Sequence, residues 1–119
     1  MNIWHDIECN RIKPEEFIAV VEISKGSKQK YELDKTTGLL RLDRILYTST
    51  HYPANYGFIP HTLAADGDPL DVLVLCSESL VPMCLVDCYP IGVIVTLSTS
   101  WSLTHRFQKS YAPGFVKSR

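Results

Sequence analysis

Asp66-Gly67-Asp68-Pro69-Leu70-Asp71 places three carboxylates in six positions and runs straight into the apolar stretch Val72-Leu73-Val74-Leu75. That order predicts a tight acidic turn feeding a buried strand. Gly67 admits backbone angles closed to other residues, Pro69 fixes φ, and the strand anchors Asp71, so the three carboxylates can converge without a long flexible loop. Oxygen-only ligands of this kind suit Mg²⁺, Mn²⁺ or Ca²⁺ better than zinc. A calcium loop of the EF-hand type fits poorly, because Asp71 stands sixth where Gly is needed and Ser77 stands twelfth where Glu is needed. An Asp-Gly-Asp-Pro turn also serves as a plain solvated connection, and the local pattern leaves both readings open.

The chain has room for one domain with a core: 119 residues, 45% hydrophobic and 21% charged. Neither disorder nor a membrane span is expected from that composition. Met1 to Asp6 lacks the basic and then apolar order of a secretory signal, so the expected location is cytoplasmic. Cys9, Cys76, Cys84 and Cys88 are then expected as buried free thiols, and Cys84 and Cys88 lack the Cys-x-x-Cys spacing of zinc knuckles and redox pairs. A net charge of -1 argues against nucleic acid or a membrane surface as partner. Its distribution is uneven, since all thirteen acidic residues lie at or before Asp87 while Arg106, Lys109, Lys117 and Arg119 stand in an acid-free tail.

Before the acidic turn the sequence is β-rich. Phe17-Ile18-Ala19-Val20-Val21-Glu22-Ile23 ends at the turn cluster Ser24-Lys25-Gly26-Ser27, Lys30-Tyr31-Glu32-Leu33-Asp34 alternates up to Lys35-Thr36-Thr37-Gly38, and Leu39 to Tyr47 reads as a third strand. Three short strands joined by Gly-containing turns predict a meander at the start of a small barrel or sandwich. Alternation puts Lys30 and Glu32 on one face of their strand. A weak ion pair on a solvated face is the plain account of those two. Glu22 stands within an apolar strand, where a carboxylate is costly unless a cation or a donor meets it. Residues 48–65, with Tyr52, Pro53, Tyr56, Gly57 and Pro60, read as an ordered loop packed by its rings, and tyrosine hydroxyls can reach an anion as neutral donors. The sequence from Met83 to Ile94 is strand-like with interruptions at Pro90 and Gly92. No helix, repeat, P-loop or nucleophile elbow is found beyond it.

Taken together these segments resemble the soluble inorganic pyrophosphatases built on a small OB-like barrel. The resemblance runs from about Glu15 to Ile94. It rests on Asp66-Gly67-Asp68-Pro69-Leu70-Asp71-Val72, which is similar to the family's Asp-x-Asp-Pro-x-Asp signature. Val21-Glu22-Ile23, Lys30-Tyr31-Glu32-Leu33-Asp34, Leu42-Asp43-Arg44 and Tyr52-Pro53-Ala54-Asn55-Tyr56-Gly57 support it in the expected order. The resemblance implies a mainly β fold, an OB-like five-stranded barrel, and Mg²⁺-dependent hydrolysis of pyrophosphate to two orthophosphates, with several ions per site and Mn²⁺ as a substitute. By the same resemblance Asp66, Asp71 and Glu22 ligate metal, and Asp68 acts as general base or orients the attacking water. Lys30, Arg44 and Tyr56 hold phosphate oxygens, Tyr56 also acting in catalysis, while Glu32 and Tyr52 support the site. It further implies self-association into a homo-oligomer. These roles agree with the chemistry, because a highly charged anhydride must be screened by cations before a nucleophile approaches.

The pattern breaks after Pro90-Ile91-Gly92-Val93. There the family continues with an acidic stretch carrying two further ligating Asp residues and a Lys, then further strands, a Tyr-Lys pair and a long C-terminal helix. Val95 to Arg119 is Ser/Thr-rich and basic, without Asp or Glu. The expected organisation is therefore an incomplete pyrophosphatase-like barrel over residues 1–94, lacking the helical part, and a divergent, poorly ordered tail over 95–119. A change of reading frame or exon near Ile94 would account for so abrupt a break.

Overall fold

The computed structural model describes residues 6–47, 51–62, 67, 69–96 and 110–118 of the chain. Its organising strand is β1 (Phe17–Ile23), apolar at every position except Glu22 and buried along its length apart from that residue. A strand so apolar needs cover on both faces and partners on both edges. β1 pairs antiparallel with β4 (Asn55–Ile59) on one side and with β6 (Leu85–Thr96) on the other. β5 (Leu70–Leu75) runs antiparallel to β4, and β7 (Ser110–Ser118) lies parallel to β5 and antiparallel to β6. The order β1-β4-β5-β7-β6 therefore closes on itself, giving the small OB-like five-stranded barrel and leaving its strands no free edge.

β2 (Gln29–Leu33) and β3 (Leu40–Ile45) form a separate two-stranded sheet inserted between β1 and β4. The expected meander is thus not formed, because both edges of β1 are taken by β4 and β6. β4 in turn falls inside the stretch expected as a loop. Pro53 and Pro60, read as part of that loop, flank β4 without interrupting it. In β6 the Pro90 and Gly92 interruptions are absorbed as a register shift against β7, and the strand continues. Among the described residues helix is limited to one 3₁₀ turn, Cys9–Arg11.

The core has two layers on opposite faces of β1. Phe17 and Ala19 pack with Ile59, Val72, Val74 and Cys88, drawn from four barrel strands. Val20 packs outward with Phe58, Ile7 and Leu33 of β2, so the hairpin and the N-terminal segment cover that side of the barrel. Asn55 is a fully buried polar residue that ties two loops to the barrel. Its Oδ1 accepts from the backbone N–H of Lys25 and of Leu80, each at 2.9 Å, and its Nδ2 donates to the Glu78 carbonyl at 3.0 Å. A buried amide so satisfied fixes a unique arrangement, whereas its loss would orphan backbone groups. All four cysteines are free, but only Cys88 is buried; Cys9 is exposed and Cys76 and Cys84 are half-buried. Burial pushes the Cys88 thiol up to about 12.

Candidate metal and phosphate site

Two β-bulges shape the side of the barrel under the hairpin. In β1 the register slips between Val21 and Ile23, and Glu22 lies at the slip. Its Oε2 accepts from the Leu33 N–H of β2 at 2.7 Å, joining the hairpin to the barrel. In the hairpin Lys30 pairs with Arg44, but the next pair is Tyr31 with Leu42, so Asp43 is the extra residue of a second bulge. Regular alternation would send Asp43 and Arg44 to opposite faces, and a bulge re-aims a side chain. As a result one oxygen, Asp43 Oδ2, accepts from Lys30 Nζ at 3.0 Å and from Arg44 Nε at 2.9 Å. Lys30 Nζ also donates to Glu32 Oε1 at 3.0 Å, the ion pair expected from their shared face.

The electrostatics follow from this packing. Partial burial works against the Lys30 charge, but its hydrogen bonds to Asp43 and Glu32 prevail and hold the ammonium above its usual range. Those bonds, from Lys30 first and then Arg44, hold the Asp43 carboxyl below its usual range. Glu22 behaves oppositely. Burial, followed by the charges of Asp71 and Glu32, lifts its carboxyl to about 7, against the opposing pull of the Leu33 N–H and of Lys30.

Asp71 is half-buried at the second position of β5, opposite Phe58 of β4. Tyr52 is buried and Tyr56 half-buried, their ring centroids 5.6 Å apart and tilted by 50°. Gly67 has the positive φ, 88°, that the acidic turn was expected to need. Asp66 and Asp68 lie outside the described residues. Among the described residues no three His, Cys, Asp or Glu groups stand together as a metal cluster. The donor chemistry nonetheless fits a hard divalent cation. Glu22 is a desolvated carboxyl pressed by two further carboxylates, and a cation is the group that relieves such repulsion.

A pH effect on stability follows. The folded-state value near 7 lies above the ordinary 4.5, so between these limits the folded chain holds a proton that the unfolded chain releases. Stability present below about pH 4.5 is therefore lost as pH rises towards 7, by about 3 kcal/mol at roughly 1.4 kcal/mol per unit. Thermal melts in chelator at pH 5 and pH 8 should show this loss, Glu22→Gln should remove most of it, and equal slopes for the two proteins would contradict the assignment.

Asp43 and Asn55 are the residues that sequence reasoning missed. Both stood inside recognised motifs, but the Asp43 contact depends on a bulge and the Asn55 contacts on loops distant in sequence. Neither carries a local signal beyond its motif.

The sequence model of one family, inorganic pyrophosphatase, matches residues 19–100. The soluble inorganic pyrophosphatase 2 of Chlamydomonas reinhardtii is 57% identical over 94 residues, covering 79% of this chain and 49% of that protein. The soluble inorganic pyrophosphatase 3 of Arabidopsis thaliana is 58% identical over 91 residues, covering 76% and 42%. The chain thus spans about half the length of the curated relatives it matches. In three dimensions the crystal structure of inorganic pyrophosphatase from Thermus thermophilus superposes with a TM-score of 0.83 at 34% identity, covering 99% of this chain and 63% of that one.

Proposed function

Because this chain belongs to the inorganic pyrophosphatase family, we propose that it binds diphosphate at the hairpin-covered side of its barrel and hydrolyses it to two orthophosphates. The observation that carries this reading is the Lys30–Arg44 register pair, with Lys30 in electrostatic reach of Glu22, whose carboxyl also interacts with Asp71. Two cations next to crowded carboxylates can accept a polyanion together with the divalent ions that accompany it.

In this reading Arg44 offers a planar fork to phosphate oxygens and Lys30 a point charge. Tyr56 donates a neutral hydrogen bond to the departing phosphate, and Tyr52 backs its ring. Glu22, Asp66 and Asp71 would hold Mg²⁺, or Mn²⁺ in its place, with Glu32 balancing Lys30. Divalent ions held there would supply the charge screening that the anhydride needs before a nucleophile can approach. Asp68 orients the attacking water and takes its proton as the new P–O bond forms and the bridging P–O bond breaks. A cytoplasmic location and self-association belong to the same reading.

A second reading, a barrel that binds phosphate or pairs with full-length subunits without turning substrate over, is favoured by one observation. No Asp or Glu occurs from Cys88 to Arg119, so that stretch adds no carboxylate ligand. Electrostatic contacts at reacting centres are worth roughly 10²- to 10³-fold each, so turnover is expected well below that of a site with further carboxylates. Orthophosphate release measured with Mg²⁺, then with chelator, then with Mg²⁺ restored should be present, absent and present. Release that persists in chelator contradicts the metal-dependent reading, and binding without release selects the second.

A further inference from the structure

We infer that Asp43 is a built-in competitor for the anion site, its carboxylate standing across Lys30 and Arg44 where a phosphate oxygen would bind, so that it sets which anions the site retains. The inference rests on the diphosphate-binding reading above and deepens it.

Three observations lead here. First, a single Asp43 oxygen bridges two cations of different side chains at 3.0 and 2.9 Å, the contact a phosphate oxygen would make with the same pair. Second, donors are already committed: Lys30 spends two of its three N–H groups on Glu32 and Asp43, and Arg44 spends Nε on Asp43. Third, the charges cancel, Lys30 and Arg44 against Glu32 and Asp43, so an incoming anion meets a neutral group while Asp43 stays in place.

Asp43 can leave where Glu22 cannot. Glu22 is half-buried and bound to the Leu33 N–H, whereas the Asp43 side chain is 30% exposed and that of Arg44 64% exposed. A carboxylate with that access to water rehydrates as it turns away, so displacement is cheap for a ligand that replaces its contact. A monoanion with one suitable oxygen gains little by the exchange. A phosphate or diphosphate, with more charge and more acceptors, gains more. The bulge at Asp43 makes this placement possible, since an unbulged β3 would point Asp43 and Arg44 to opposite faces.

The experiment titrates the full chain with inorganic phosphate and with acetate, in chelator, at several salt concentrations. Asp43→Asn keeps an acceptor oxygen and removes the charge. It should tighten phosphate binding roughly tenfold, tighten acetate binding as well, and steepen the salt dependence. Asp43→Glu should stay close to the parent, and the thermal midpoints of all forms should agree, which separates the effect from a structural one. Unchanged or weaker phosphate binding by Asp43→Asn overturns the inference. Arg44→Gln reports on the underlying site: if it binds phosphate as tightly as the parent, the site reading itself fails, whereas weakened binding there with an unresponsive Asp43→Asn refutes the competitor role alone.

Discussion

A Gly57→Ala substitution is expected to destabilise the domain by on the order of 4 kcal/mol, enough to unfold much of a marginally stable chain at room temperature. A methyl group built on Gly57 would stand 1.8 Å from the Val20 carbonyl oxygen and 2.8 Å from its carbon. Those atoms are backbone of β1, already held between β4 and β6, so no side chain can swing aside to make room. The strands themselves would have to part, and the Val21–Gly57 pair lies at the bulge that aims Glu22. Loss of the barrel and loss of the site are thus one event. Gly92→Ala supplies the control, because a methyl there meets nothing within 4 Å. Denaturant midpoints should fall sharply for Gly57→Ala and barely move for Gly92→Ala. A Gly57→Ala protein within about 0.5 kcal/mol of its parent would show that β1 and β4 are not packed as described.

The same glycine illustrates what the sequence could convey. Local signals worked where a strand carries its own pattern: β1 is apolar at every position but Glu22, the alternation of β2 predicted the Lys30–Glu32 pair, and the acidic stretch leads directly into β5. They failed where the structure depends on distant partners. β7 contains Ser110, Pro113, Gly114 and Ser118, none of which marks a strand, and it is defined by parallel pairing with β5 and antiparallel pairing with β6. β4 was obscured by Pro53, Gly57 and Pro60. Gly57 reads as part of an ordered loop in sequence, but in the barrel it is the point where two backbones approach too closely for a Cβ.

The site divides in the same way. Resemblance to the pyrophosphatase motifs singled out Glu22, Lys30, Arg44, Tyr56 and Asp71, whereas the residues taken alone left Lys30 as a solvated ion pair and Tyr56 as a packed ring. Their mutual placement was not legible, since it depends on two register slips that no local periodicity announces. A slip at Glu22 and a slip at Asp43 decide which side chains face one another. The Asp43 bridge is the clearest case. Spacing alone puts Asp43 and Arg44 on opposite faces, yet Arg44 Nε and Lys30 Nζ both donate to the same Asp43 oxygen.

In the proposed function the acidic turn works with the Lys30–Arg44 cation pair to hydrolyse diphosphate. Asp68→Asn tests it with a change of one charge and almost no change of shape. An amide in place of the Asp68 carboxylate can still accept a hydrogen bond, but it cannot take a proton from water at neutral pH. A positioned general base contributes typically about 10²- to 10⁴-fold, so orthophosphate release from diphosphate in saturating Mg²⁺ should fall at least about 100-fold, with phosphate affinity and thermal midpoint held near those of the parent. Release of orthophosphate at equal rates by the parent and by Asp68→Asn would contradict the account.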